Sequence, residues 1–223
     1  MASPYVGKDL VIFLTKLRAR PENEEVSVVT DTAGTHRSTG GRGKRERLIA
    51  AARAVIYANG VNGTSLADIA GAADVPLGNV YYYFRTKDDL VRAVIQDHMD
   101  MAYGLLGSLD AGSADPRQRL KAFFATLAGD GDQVARYGCP FGSLCMELDK
   151  SAAGPGAAAD LMRVPIAWME RQFAALGRPD APDLAVEAMA RYQGAALLAS
   201  TLRDPAIMSA ARSRTETWID SLA

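Results

Sequence analysis

The sequence predicts an all-α chain in two parts: a compact three-helix unit, then a larger helical bundle. Three observations carry this. Apolar residues recur at three- and four-residue spacing along most of the chain, and nowhere do they alternate as they would in a half-buried strand. Two capping signatures, Ser65 with Asp68 and Thr86 with Asp89, bracket a pair of segments long enough only for short helices. Gly and Pro then divide the remainder into helix-length pieces, at Gly112 to Pro116, Gly154 to Gly156, Gly177 to Asp183 and Asp204-Pro205. At 223 residues with 48% apolar side chains, the chain is long enough to bury a sizeable core.

Taken in order, residues 1–43 read as an extension and a basic linker. Met1 to Arg20 holds Leu10, Val11, Ile12, Phe13, Leu14 and Leu17 without a clear period, so an extra docking helix and a segment without a role both remain open. Pro21 to Gly43 is rich in Glu, Ser, Thr and Gly and poor in large apolar residues, the composition of a flexible linker. Net charge is only -1 overall, yet between Thr35 and Arg53 six basic residues face Glu46 alone. That run is either a solvated arm or one that meets a polyanion. Lys44 to Asn59 reads as a helix with Leu48, Ala52, Val55 and Ile56 on one stripe, stopped by Gly60.

Residues 64–90 form the most informative stretch. Ser65 and Asp68 open a short helix whose Leu66, Ile69, Ala70 and Ala73 share one face. At Asp74 the chain can enter a left-handed turn, which Asp tolerates better than most residues, and Pro76 suits the start of a second helix. In that second helix Val80 and Phe84 share a face, leaving Gly78, Asn79, Tyr82 and Tyr83 to point elsewhere. Consecutive helical residues diverge by about 100°, so Tyr81, Tyr82 and Tyr83 cannot all be core. Two short helices with an exposed polar-aromatic face on the second read as helix-turn-helix.

This stretch resembles the DNA-binding end of the TetR family of bacterial transcriptional regulators. Thr64, Ile69, Ala70, Gly78, Tyr81, Tyr83, Phe84, Lys87 and Leu90 stand at the family's motif positions, over about Lys44 to Met101. The resemblance implies residues 44–90 as a helix-turn-helix domain and residues 91–223 as a helical ligand-binding and dimerisation domain. Carried over, it makes Tyr81, Tyr83 and Lys87 phosphate contacts and Thr64 a backbone contact, with Gly78 permitting close approach and Arg45 adding local positive charge. Asn79 and Tyr82 are the candidates for reading base edges, because an Asn amide can pair twice with adenine. Pro76, Leu77 and Asp74 depart from the pattern. Leu77 then offers apolar contact to a thymine methyl in place of a polar one.

Beyond the motif, a helix from Thr86 toward Gly104 bridges the two parts. Further helices are expected at Arg117 to Leu127, from Gly138-Cys139-Pro140 onward, at Ala157 to Leu176 with Pro165 inside, at Leu184 to Leu202 and at Ala206 to Leu222. Their large residues read by spacing as ordinary core. The resemblance instead implies a small-molecule pocket among Phe123, Phe124, Cys139, Phe141, Met146, Trp168, Met169, Phe173 and Tyr192. Small residues Ala188, Ala190, Gly194, Ala195, Ala196 and Ala199, with Leu197, Leu198, Leu202 and Trp218, make the last two long helices the candidate homodimer face.

Cys139, ahead of Pro140, falls at a helix N-cap, where free amides stabilise a thiolate; as a small buried apolar residue it would be inert. The GCPFGSLCMEL run also resembles a segment of TetR subgroups that include electrophile-sensing members. Cys139 and Cys145, the only cysteines, are too poorly placed to bridge comfortably, and His36 and His98 offer no metal cluster. No catalytic constellation, cofactor motif or phosphate loop stands out. No segment approaches a membrane span, which points to a cytoplasmic protein. The expected function is a homodimeric repressor that leaves a near-palindromic double-stranded operator when a small apolar or aromatic effector binds. The alternative is a helical small-molecule-binding protein or small enzyme that keeps the fold without binding DNA.

Overall fold

The computed structural model describes residues 40–148 and 155–222, and these form ten α-helices without a strand. In chain order they are α1 (Gly40–Asn59), α2 (Leu66–Ala72), α3 (Leu77–Tyr83), α4 (Lys87–Gly112), α5 (Pro116–Leu127), α6 (Gly131–Tyr137), α7 (Pro140–Leu148), α8 (Pro155–Ala175), α9 (Ala181–Leu202) and α10 (Ala206–Ser221). The extension and linker, apart from residues 40–43, lie outside the described residues. Helix α1 takes up those four, so it begins earlier than the apolar stripe from Lys44 suggests.

Short-range signals fix the first turns. Gly60 ends α1 with φ +78°, and its amide bonds back to the Ile56 carbonyl at 2.8 Å. Both capping boxes close as the spacing predicts, at Ser65 with Asp68 and at Thr86 with Asp89. Two elements differ from the sequence expectation. Helix α4 does not stop near Gly104 but runs through it to Gly112, because Leu105, Leu106 and Leu109 continue its apolar face into the larger core. Burial there offsets the roughly 1 kcal/mol that each helical Gly costs against Ala. Helix α6 occupies a stretch that reads as the end of a Gly-Asp turn. Asp130 caps it by accepting from the Gln133 amide, and Val134 and Ala135 are buried.

Two hydrophobic clusters share the long helix α4. The smaller gathers Leu48, Ala52 and Ile56 from α1, Ile69 and Ala70 from α2, Val80 and Phe84, and Leu90, Val91 and Val94 from α4. Leu144, Leu148 and Leu161, from α7 and α8, close it. The larger cluster centres on Phe123, Phe124, Trp168, Met169 and Phe173, covered by Ala185, Ala188, Ala196 and Ala199 of α9. Phe141 packs against both. At the far end of α4, Arg119 donates to the Asp110 and Ser113 carbonyls and to Gln172, while the Trp168 indole donates to Asp110 at 3.0 Å. This network anchors the C-terminal end of α4 against α5 and α8. No described helix is long and apolar enough to cross a membrane.

Candidate nucleic-acid interface and enclosed chamber

The turn between α2 and α3 is set by Asp74, in the left-handed region at φ 50°, and by the Val75 amide bonding to the Ala70 carbonyl at 3.0 Å. Helix α3 starts at Leu77 with Pro76 in the capping position, and only Val80 of the helix is buried. Val80 and, just beyond the helix, Phe84 anchor it, with the Arg45 guanidinium 5.4 Å from the Phe84 ring centre. Gly78 and Asn79 face outward, as do Leu77 at 41%, Tyr81 at 53% and Tyr82 at 82% exposure. Tyr83 is half-buried against the small core, edge-on to Tyr82 at 5.0 Å.

Beside α3 runs an open groove lined by Thr64, Ser65, Leu77, Tyr81 and Lys87. The Lys87 ammonium donates to the Thr64 carbonyl at 2.9 Å, which holds the start of α4 against the loop after α1. Thr64 borders this groove, but its side chain is buried and its hydroxyl donates to the Gly60 carbonyl at 2.7 Å, which closes the turn after α1.

Between α4, α5, α7, α8 and α9 lies a chamber of two adjoining lobes. One, a cavity of about 60 Å³, is lined by Leu105, Phe123, Phe141, Met162, Met189 and Gln193 among others. The other, about 110 Å³, extends toward Tyr57, Thr126, Asp130 and Gln133. Cys139, Phe141 and Tyr192 line both lobes.

Of the sequence-predicted pocket residues, the structure brings Phe123, Cys139, Phe141 and Tyr192 to the chamber. It corrects the rest. Phe124, Trp168, Met169 and Phe173 are close-packed core, and Met146 points outward at 65% exposure. Sequence reasoning singled out Met162 among the large apolar residues of this region but missed Tyr57, Met189 and Gln193. Tyr57 belongs to α1, assigned on sequence to the other half of the molecule, and its position one turn after Arg53 carries no chamber signal. Gln193 had one usable cue, a polar residue next to Tyr192 in an Ala-rich helix.

Cys139 occupies the N-cap position expected of it. Its sulfur accepts from the Gly142 amide and from Gln193 Nε2, each at 3.4 Å. Burial and the neighbouring Cys139 push the Cys145 thiol up to about 11. Burial, then Cys139, likewise raises the Tyr57 and Tyr192 hydroxyls above the usual tyrosine range.

Chamber and small unit meet at both ends of α7. At its start, the Tyr57 hydroxyl donates to the Gly138 carbonyl at 2.6 Å, with Gly138 at φ +82°. Toward its end, the Glu147 carboxylate accepts the Val61 amide, against Gly60. Nearby, Arg53 of α1 pairs with Asp97 of α4.

The outer side of α9 carries Val186, Leu197, Leu198 and Leu202, all more than half exposed. Ala190 and Gly194 sit among them, next to Ala206, Ala210 and Arg214 of α10 across a shallow groove. Ala188, Ala195, Ala196 and Ala199, expected at the same outer face, turn inward and let α9 approach its own bundle.

Residues 48–94 match the family model described as bacterial regulatory proteins, tetR family. Over these residues the chain belongs to the TetR family. An uncharacterised HTH-type transcriptional regulator of Lactococcus lactis is 33% identical over 109 residues, which is 48% of this chain and 56% of its own. The repressor DhaR of Mycobacterium sp. is 27% identical over 164 residues, 69% of this chain and 80% of its own. The repressor NemR of Escherichia coli is 28% identical over 105 residues, 47% and 51% respectively. The chain therefore spans a little over half of the Lactococcus relative's length. Among solved TetR structures, one from Legionella pneumophila covers 78% of this chain and 95% of its own, at 23% identity and TM-score 0.71. Reduced NemR covers 77% and 95%, at 22% identity and TM-score 0.66. At these identities the structural likeness establishes the TetR fold alone.

Proposed function

We propose that this TetR-family chain is a homodimeric repressor that places α3 in the major groove of a near-palindromic operator and leaves it when a small, largely apolar effector fills the chamber. The carrying observation is α3 itself: Val80 and Phe84 fix one side, and the whole opposite side is free. Asn79 and Tyr82 reach base edges, Leu77 meets a thymine methyl, and Tyr81, Lys87 and Arg45 meet phosphates. Tyr83, half-buried, contributes only its rim. Residues 44–90 act as the reading unit and residues 91–223 as the effector-binding and dimerisation part. The exposed apolar stripe of α9, with the groove beside α10, pairs with a second copy, which sets two recognition helices about one DNA turn or a multiple apart.

A ligand can shift DNA affinity only if it binds another state of the protein better than the state that DNA favours. Helix α7 is suited to carry that difference. Phe141 and the preceding Cys139 form chamber wall, while Tyr57 and Glu147 tie the two ends of α7 to the end of α1.

The test is a gel shift on DNA flanking the protein's own coding region, at about 50 and about 200 mM salt. Tight, salt-dependent binding over random DNA supports the reading; equal weak binding to both refutes it. Lys87→Ala should weaken binding to all sequences and lower the salt slope by about one counterion per half-site, whereas Asn79→Ala should relax preference at one base position. Equal loss on specific and random DNA for both variants would remove Asn79 as a base reader.

A further inference from the structure

We infer that the first lobe of the chamber selects a neutral group bearing a carbonyl-type oxygen, and that the Gln193 side-chain amide is the residue that reads it. This rests on the chamber being the effector site. Cys139, Tyr192 and Gln193 border the first lobe, but in the empty chamber none of them turns a polar nitrogen or oxygen into it, and no charged side chain lines it. An ion entering that lobe would lose its hydration without a counter-charge.

The two stronger donors differ in what they have left to give. The Tyr192 hydroxyl donates to the Leu127 carbonyl, so its hydrogen is committed and it offers lone pairs. Gln193 Nε2 instead faces three sulfurs: Cys139 at 3.4 Å, Met189 at 3.8 Å and Met162 at 3.9 Å. Thiol and thioether sulfur are weak acceptors. Turned from the empty space toward sulfur alone, this flexible amide gains by rotating to a better acceptor, and a ligand oxygen in the lobe supplies one. The amide lies over the first turn of α7, where a Cβ on Gly142 would meet Gln193 Oε1 at 2.5 Å, so a larger residue at 142 would push the flexible amide aside.

A site built around such a donor disfavours a same-shaped molecule that lacks the acceptor, because the donor then stays with its poor partners. Acetophenone and ethylbenzene are suitable probes, since they share a skeleton and differ by the carbonyl. Binding of each to the purified full chain is measured by calorimetry. The wild-type protein should bind acetophenone about 3- to 10-fold more tightly than ethylbenzene. Gln193→Leu should bring the two within about twofold while keeping the ethylbenzene affinity, and Gly142→Ala, which displaces the amide without deleting it, should narrow the gap in the same direction. Circular dichroism confirms that each variant is folded, and the two variants test the donor independently. A wild-type protein that binds both probes equally, or a Leu variant that keeps the ketone preference, overturns the role of Gln193 and leaves the chamber as an effector site. Binding of neither probe to the wild-type protein overturns the chamber reading itself, and the inference with it.

Discussion

His98 allows the seal between α1, α4 and α7 to be measured. The residue is 4% exposed, its ring lies 4.9 Å from Phe141, and its Nδ1 has no hydrogen-bond partner. Burial first, and the Arg53 guanidinium second, push its pKa down to about 4 from the ordinary 6.5. The Asp97 carboxylate nearby is engaged with Arg53. The folded pKa is depressed, so the stability associated with the neutral ring is complete above about pH 6.5. It is lost as pH falls toward 4, because the unfolded chain takes up the proton first. The gap between the two values, at about 1.36 kcal/mol per pH unit, amounts to about 3 kcal/mol. His98→Leu removes this dependence. At about pH 7.5 it should leave stability within about 1 kcal/mol of wild type, since an apolar replacement also removes the unpaired nitrogen.

The assay is urea unfolding followed by circular dichroism at intervals from about pH 7.5 to about pH 4.5. Carboxylates titrate in both proteins and contribute a shared slope, so the difference between the two curves isolates His98. By about pH 4.5 the wild-type curve should have fallen by about 2 to 3 kcal/mol more than that of the Leu variant. Parallel curves would show that the folded protein protonates His98 with ordinary affinity, and that α1 and α7 do not exclude water from it.

Tyr57→Phe keeps the ring that packs 5.3 Å from Tyr137 and deletes only the hydroxyl that holds Gly138. The raised pKa of Tyr57 means its share of stability is intact below about pH 10 and is lost as pH rises beyond that. The variant should therefore lose stability less steeply in alkali, by up to about 1.4 kcal/mol per pH unit, in urea unfolding between about pH 10 and 11. An unchanged alkaline slope would contradict the burial of that hydroxyl. For the cysteines, p-benzoquinone at neutral pH should modify Cys139 before Cys145, read by mass spectrometry of timed digests. Cys139 has two N–H donors at its sulfur and a cavity beside it, whereas Cys145 is held protonated by burial. Labelling of Cys145 first would make Cys139 an inert packing residue.

The parts of the fold legible in the sequence are those decided within a few residues. Ser65 and Asp68, Thr86 and Asp89, Gly60 and Asp74 each act on backbone groups no more than four or five positions away, so spacing alone places them. Except for Tyr83, which is half-buried against the small core, the outward face of α3 was legible for the same reason, since two anchors one turn apart orient the residues between them. Thr64 was not, because the partner that turns its hydroxyl inward is the carbonyl of Gly60, which ended a helix and showed no need of a donor. The chamber was legible only in part. Whether a large side chain borders a void or fills one depends on which groups approach from other helices: Trp168 is locked by Asp110, a residue 58 positions away, and Phe173 by Trp218 of α10. Helix α6 escaped notice because a Gly-Asp-Gly-Asp run reads as a turn until the Asp130 carboxylate is seen to accept the Gln133 amide and start a helix.

Leu144, Leu148 and Leu161 close the small core from positions far beyond the last residue of the helix-turn-helix. A ribosome therefore finishes every DNA-reading residue long before it supplies the side chains that cover their foundation. Until α8 clears the exit tunnel, Leu90, Val91 and Val94 lack part of the surface they pack against in the mature fold. A nascent chain released early by a nonsense codon carries the entire recognition motif with its apolar underside open. Such a fragment exposes apolar surface that Leu144, Leu148 and Leu161 cover in the complete fold.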